Sequence, residues 1–204
     1  MTTAIRRICR RVRWGEPIIV VSGLPRSGTS MTMKMLEAGG TKIVTDEIRT
    51  ADEDNPKGYF ELEQVKSLGK DKDKSWLAEA RGKAVKIISF LLKDLPKTNN
   101  YKILFMNRHF DEVLASQAKM LARRGENSET SDEKMRELYE NHLWKVKYLI
   151  KHQPHLEALD INYKEVLENP RGEAKRIADF TGLDLDMDKM AGMVDDQLYR
   201  NRAR

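Results

Sequence analysis

Pro17-Ile18-Ile19-Val20-Val21-Ser22-Gly23-Leu24-Pro25-Arg26-Ser27-Gly28-Thr29-Ser30 is the stretch on which the fold turns. Residues 18–21 are a β-branched run that ends at Gly23, the pattern of a buried strand. Residues 29–37 have helical character and stop at Gly39-Gly40. Strand, glycine turn and helix in succession present backbone N–H groups and the positive end of a helix dipole to an anion. Four residues separate Gly23 from Gly28, the spacing of a phosphate-binding P-loop. In nucleoside-triphosphate hydrolases a lysine follows the second glycine and reaches the β- and γ-phosphates. Here that position is Thr29, and the cation, Arg26, lies inside the turn. The loop is therefore expected to hold a phosphate without the usual triphosphate clamp.

Outward from the loop, residues 42–45, 83–90, 101–106 and 156–161 read as further strands. Short helices are expected over 62–68 and 76–81, and longer ones over 111–124 and from Ser131 to about His152. Residues 163–167 and 172–181 are helical, the second stopping at Gly182. Residues 50–59, with Asn55-Pro56 and Gly58, and residues 125–130 are polar loops. Five strands alternating with helices predict a three-layer α/β fold. Its central sheet is mainly parallel, with helices on both faces, of the P-loop nucleotide-binding type. One domain is expected over 1–204, with a basic N-terminal arm at 1–16 and a C-terminal helix and basic tail at 186–204.

The bulk numbers agree with one such domain. The chain has 204 residues, 40% hydrophobic and 34% charged, which suits a soluble globular protein. A net charge of +5 fits an anionic ligand. The lone Cys9 excludes an internal disulfide framework, and a cytoplasmic setting is the simplest expectation. No apolar run reaches the roughly 18 residues of a membrane span. The start, Arg6-Arg7-Ile8-Cys9-Arg10-Arg11-Val12-Arg13, reads as a solvated helix face or surface arm. No metal-ligand cluster is visible, since the four histidines, at 109, 142, 152 and 155, are scattered.

Pro25-Arg26-Ser27-Gly28-Thr29-Ser30 resembles the 5′-phosphosulfate loop of the sulfotransferases that use 3′-phosphoadenosine 5′-phosphosulfate (PAPS). Its form is closest to tyrosylprotein and many bacterial sulfotransferases. A second match is Arg108 at a strand end with Ser116 eight residues later, the spacing of the family's 3′-phosphate site. Arginine supplies bidentate charge-assisted contacts and serine a hydroxyl donor. The family's Arg-Asp-Pro-Arg-Asp-Val is here Arg108-His109-Phe110-Asp111-Glu112-Val113, without the proline and the second arginine. A third block, Asn162-Tyr163-Lys164-Glu165-Val166-Leu167 with Phe180-Thr181-Gly182-Leu183, is similar to the family's Tyr-Glu-Asp-Leu…Phe-Leu-Gly segment. The three matches extend from Pro17 to about Leu185.

The resemblance implies that Arg26, Ser27, Gly28, Thr29 and Ser30 bind the donor's 5′ side, and that Arg108 and Ser116 bind its 3′-phosphate. Adenosine 3′,5′-bisphosphate would be the product, and no metal is required. Tyr163 is expected either to approach the nucleotide or to pack in the core. Lys86 either reaches the sulfate or points to water from an edge strand. Glu47, 21 residues past Arg26 and just beyond a strand candidate, is the expected base, with Asp46 and Glu61 as alternatives. Arg200, in a basic tail, either folds over the nucleotide or belongs to a frayed terminus. The implied partners are the nucleotide donor and an acceptor, with no nucleic acid and no membrane span. Acceptor identity and oligomeric state are not legible in the residues. A kinase-like P-loop enzyme and a non-catalytic nucleotide-binding module stay open as other readings.

Overall fold

The computed structural model describes residues 3–46, 60–123, 125–126 and 130–194. Helix α1 (Thr3–Trp14) precedes strand β1 (Ile18–Gly23) and helix α2 (Thr29–Ala38). Two single-turn helices follow, α3 (Glu63–Lys66) and α4 (Trp76–Glu79), then strand β2 (Ala84–Lys86) and a 3-10 segment, Ser89–Asp94. Strand β3 (Tyr101–Asn107) leads into α5 (Phe110–Arg123) and α6 (Asp132–His152). Strand β4 (Leu156–Asn162), α7 (Tyr163–Glu168), α8 (Pro170–Thr181) and α9 (Met187–Gly192) close the order.

The four strands form one parallel sheet in the order β2-β1-β3-β4. Residues 18–21 of β1 are wholly buried, because the sheet is covered on both faces. Ile19 and Val21 face Met33, Met35 and Leu36 of α2, with Ala174 and Ile177 of α8. Ile18 and Val20 face Val65, Leu77 and, from α6, Val146. Each such aliphatic side chain contributes about 1.5–3 kcal/mol by leaving water. This is the expected three-layer α/β architecture.

Two strand expectations are corrected. Residues 42–45 form no strand: Ile43 makes one parallel bridge to Ala84, and the chain then turns so that Thr45 Oγ1 donates to the carbonyl of Glu61 at 2.9 Å. The 83–90 strand ends at Lys86 and gives way to the 3-10 segment. The apolar residues there, Leu92 among them, bury themselves against α6 instead of extending a ladder. The N-terminal arm is also more than a solvated face. Arg10 is buried, and its Nη2 donates to Asn100 Oδ1 at 2.6 Å and to the His155 carbonyl at 2.9 Å.

Local signals set the remaining boundaries. Asn162 Oδ1 accepts from Lys164 N at 2.9 Å and starts α7; Asn169 Oδ1 accepts from Gly172 N at 3.1 Å and starts α8. Gly182, at φ +73°, ends α8 in the left-handed region. Lys102, buried in β3, donates to the last carbonyls of that helix, including Thr181 O at 3.0 Å. Burial holds its pKa down at about 8, with Arg7 adding to the effect.

Candidate active site

The loop at 23–30 leaves the carboxyl end of β1, between β2 and β3. The chain runs from β1 to one side of the sheet and later returns to the other. Ligand crevices of open α/β sheets form at such a reversal. Gly23, at φ +153°, and Gly28, at φ +103°, make the turn possible. A Cβ at Gly28 would meet Tyr163 Cδ2 at 2.5 Å, so only glycine lets the ring lie against the loop. Arg26 is itself left-handed, at φ +67°, which costs of order 1–3 kcal/mol and is held by the contacts around it.

Those contacts are specific. Ser27 donates twice to the Leu24 carbonyl, from Oγ at 2.7 Å and from N at 3.2 Å. Its hydroxyl and N–H thus brace the turn. Helix α2 begins at Thr29 with Gly28 as its cap residue and no side-chain cap. The N–H groups of a first helical turn have no intrahelical acceptor, so they are oriented toward the mouth of the loop.

The sheet register brings the second cation to this loop. Asn107 pairs with Asn162 across β3 and β4, so the residues that follow, Arg108 and Tyr163, emerge side by side. The Arg108 guanidinium lies 4.2 Å from the centroid of the Tyr163 ring. Its Nη1 donates to the Arg26 carbonyl at 3.1 Å, and its Nε to Glu112 Oε2 at 2.9 Å. Arg108 and Glu112 side chains are 7% and 5% exposed, a desolvated pair that fixes the guanidinium in place. Arg26 Nε in turn donates to Ser116 Oγ at 3.0 Å. Arg26, Arg108, Ser116 and Tyr163 therefore form one continuous assembly at the mouth of the loop. Tyr163 packs in the core cluster, 5% exposed, with its ring against the loop at Gly28. Glu112 was not singled out in the sequence, although its place one helical turn after Arg108 is the available signal.

On the other flank, Lys86 pairs in register with Val21, two residues before Gly23. Its side chain is 9% exposed, and its Nζ is 3.5 Å from Glu61 Oε1. It is therefore no solvated edge residue. Asp46 accepts from the backbone N–H of Glu63 at the start of α3, and its own N–H donates to Glu61 O at 3.3 Å. Three residues beyond Lys86, Ser89 Oγ and His142 Nε2 are 2.8 Å apart, and the Phe90 ring stacks on His142 at 3.8 Å. Burial, with a smaller effect of Lys145, holds the His142 pKa below its usual value. Glu47 and Arg200 lie outside the described residues.

With this geometry in hand, comparison with known proteins decides the family. Residues 16–201 match the family model of the sulfotransferase domain. The chain belongs to the sulfotransferase domain family. Among solved structures it is similar to a sulfotransferase domain from the curacin biosynthetic pathway, with 14% identity and a TM-score of 0.52. That alignment covers 91% of this chain and 87% of the other, and it shows a shared fold. A sulfotransferase from Alicyclobacillus acidocaldarius aligns with 14% identity and a TM-score of 0.45, over 85% of this chain and 83% of its own. No curated protein matches the chain. Among the described residues, no helix of this sulfotransferase-family chain is long and apolar enough to cross a membrane.

Proposed function

We propose that this chain is a sulfotransferase that moves a sulfuryl group from PAPS to a hydroxyl or amine acceptor. The transfer is in line, assisted by a base and independent of a metal. The observation that carries this proposal is the continuity of the two cationic positions. Arg26 Nε reaches Ser116 Oγ at 3.0 Å, and Arg108 Nη1 reaches the Arg26 carbonyl at 3.1 Å. A guanidinium presents its N–H donors in a planar fork that matches the oxygens of a phosphate. The donor set suits a ligand with two phosphates separated by a nucleoside.

Each residue then has a part. Arg26 and the N–H groups of Gly28, Thr29 and Ser30 stabilise the charge that grows on the departing 5′-phosphate. Ser27 braces the turn that aims them. Arg108 and Ser116 hold the 3′-phosphate, with Tyr163 and Glu112 fixing the orientation of Arg108. Lys86, buried at the end of β2, is the cation for the sulfuryl oxygens, and Glu61 holds it in place. Glu47 accepts the proton of the acceptor. Asp46 and Glu61 are already engaged at α3 and Lys86, which favours Glu47 among the three carboxylates. Arg200 is assigned to the nucleotide side on resemblance alone.

Calorimetry tests the donor. Adenosine 3′,5′-bisphosphate is expected to bind without metal, and ATP with magnesium to bind far more weakly. Preference for ATP with magnesium would sink the proposal. Labelled sulfate transfer that is lost in Glu47→Gln, with bisphosphate binding intact, distinguishes an enzyme from a binding module.

A further inference from the structure

Helix α1 is mounted the wrong way round for a surface helix. Its five arginines, at 6, 7, 10, 11 and 13, come without a single acidic residue between Thr3 and Trp14. Yet the side chain of α1 that is buried against the protein is an arginine. Arg10 is 6% exposed and holds Asn100 and the carbonyls of Pro154 and His155. Arg7 donates to the carbonyl of Asp179 on α8. The aliphatic side chains point outward instead: Ile5 is 47% exposed, Ile8 62% and Val12 83%. Positions 5, 8 and 12 fall within about 60° on a helix of 3.6 residues per turn, so they form one stripe. Arg11 borders it on one side and Arg6 and Arg13 on the other, all three exposed. An apolar stripe rimmed by cations and clamped outward by buried hydrogen bonds is a feature to be covered.

We propose that this stripe docks α1 onto an anionic lipid surface, with Ile5, Ile8 and Val12 entering the headgroup boundary and Arg6, Arg11 and Arg13 meeting lipid phosphates. Two observations select this occupant. A 12-residue helix is about 18 Å long and 10 Å wide. One face of it therefore offers on the order of 200 Å², far below the roughly 800 Å² per partner of a stable protein interface. A second copy of the chain would also bring the same arginines against one another. A bilayer needs no such area, because shallow burial of a few aliphatic groups acts together with attraction of cations to acidic headgroups.

The placement has a consequence for the site. Arg10 anchors α1 to residues just before β3 and β4, at the amino end of the sheet. The loop at 23–30 leaves the carboxyl end, one strand length of about 20 Å away. The anchor of α1 and the mouth of the candidate site thus lie toward opposite ends of the sheet.

Vesicle flotation of the full chain tests the proposal. Binding is expected to vesicles of phosphatidylcholine with phosphatidylglycerol and not to phosphatidylcholine alone, falling as salt rises. The double variant Ile8→Asn with Val12→Asn keeps every charge, and both positions are solvent-exposed, so its melting temperature should match the parent. Its partition onto anionic vesicles should fall about tenfold or more. Replacing Arg6 and Arg13 by glutamine should cost roughly fivefold per arginine. Absence of binding to the acidic vesicles overturns the proposal, as does undiminished binding of the Ile8→Asn, Val12→Asn variant. A concentration-dependent dimer in ultracentrifugation, abolished by that variant, overturns it in favour of an interface between copies.

Discussion

The two flanks of the loop are built differently. On the β3 side, Arg108, Glu112, Ser116, Tyr163 and Arg26 are joined by ring packing and hydrogen bonds of 2.9 to 3.1 Å. On the β2 side, Lys86 meets Glu61 across 3.5 Å. That partner follows a stretch of chain in which residues 42–45 make one bridge to the sheet. The first flank is set by strand register and helix position, which leave little freedom. The second depends on how a loop returns to the sheet. The lesson is one of division: one flank is held by bonds between elements of the sheet and its helices, the other by a single longer ion pair.

Gly28→Val strikes the rigid flank hardest. The branched side chain has no room beside Tyr163 and is strained at φ +103°. Destabilisation of about 2–4 kcal/mol in urea unfolding is expected, with bisphosphate binding lost in calorimetry. If the comparison is right, adding Tyr163→Ala restores part of the stability but not the binding, since Arg108 then loses its platform. Lys86→Met addresses the other flank. Sulfate transfer should fall about 10²-fold while bisphosphate affinity changes little, because the lysine acts on the transferring group. Equal loss of binding and rate would merge the two flanks into one. Ser116→Ala should weaken bisphosphate binding by about tenfold, the scale of one hydrogen bond to a charged group. An unchanged affinity would remove Ser116 from the phosphate side.

The smallest effect expected comes from pH. His142, on the β2 side, and His155, just before β4, are both held below their usual pKa by burial, with nearby cations contributing less. The unfolded chain therefore binds more protons than the native one below about pH 6.5, so stability falls as the pH drops toward 5. Thermal melts should shift down by a few degrees between pH 7 and 5.

Much of this was legible in the chain itself, for identifiable reasons. The run at 18–21 with Gly23 and Gly28 declares a buried strand and a glycine turn, because β-branched side chains and positive φ are local requirements. Arg108 and Ser116 were legible through their spacing, an arginine at a strand end and a serine in the helix that follows. Residues 42–45 read as a strand but pair with β2 only around Ala84, because the chain then leaves the sheet edge toward Glu61, which a four-residue pattern does not reveal. Lys86 left two readings because a strand lysine faces water or a partner according to what covers it.

The sequence alone therefore determined the strand, turn and helix around the loop and the layered α/β class, properties carried by short stretches of chain. Tertiary structure decided what those stretches meet. The Asn107–Asn162 register set Arg108 beside Tyr163, and α5 brought Ser116 to Arg26. Buried bonds of Arg10 turned the apolar stripe of α1 outward, against the pattern of an ordinary amphipathic helix. Such outcomes depend on residues about 55 to 145 positions apart, and no local propensity encodes a contact across that distance.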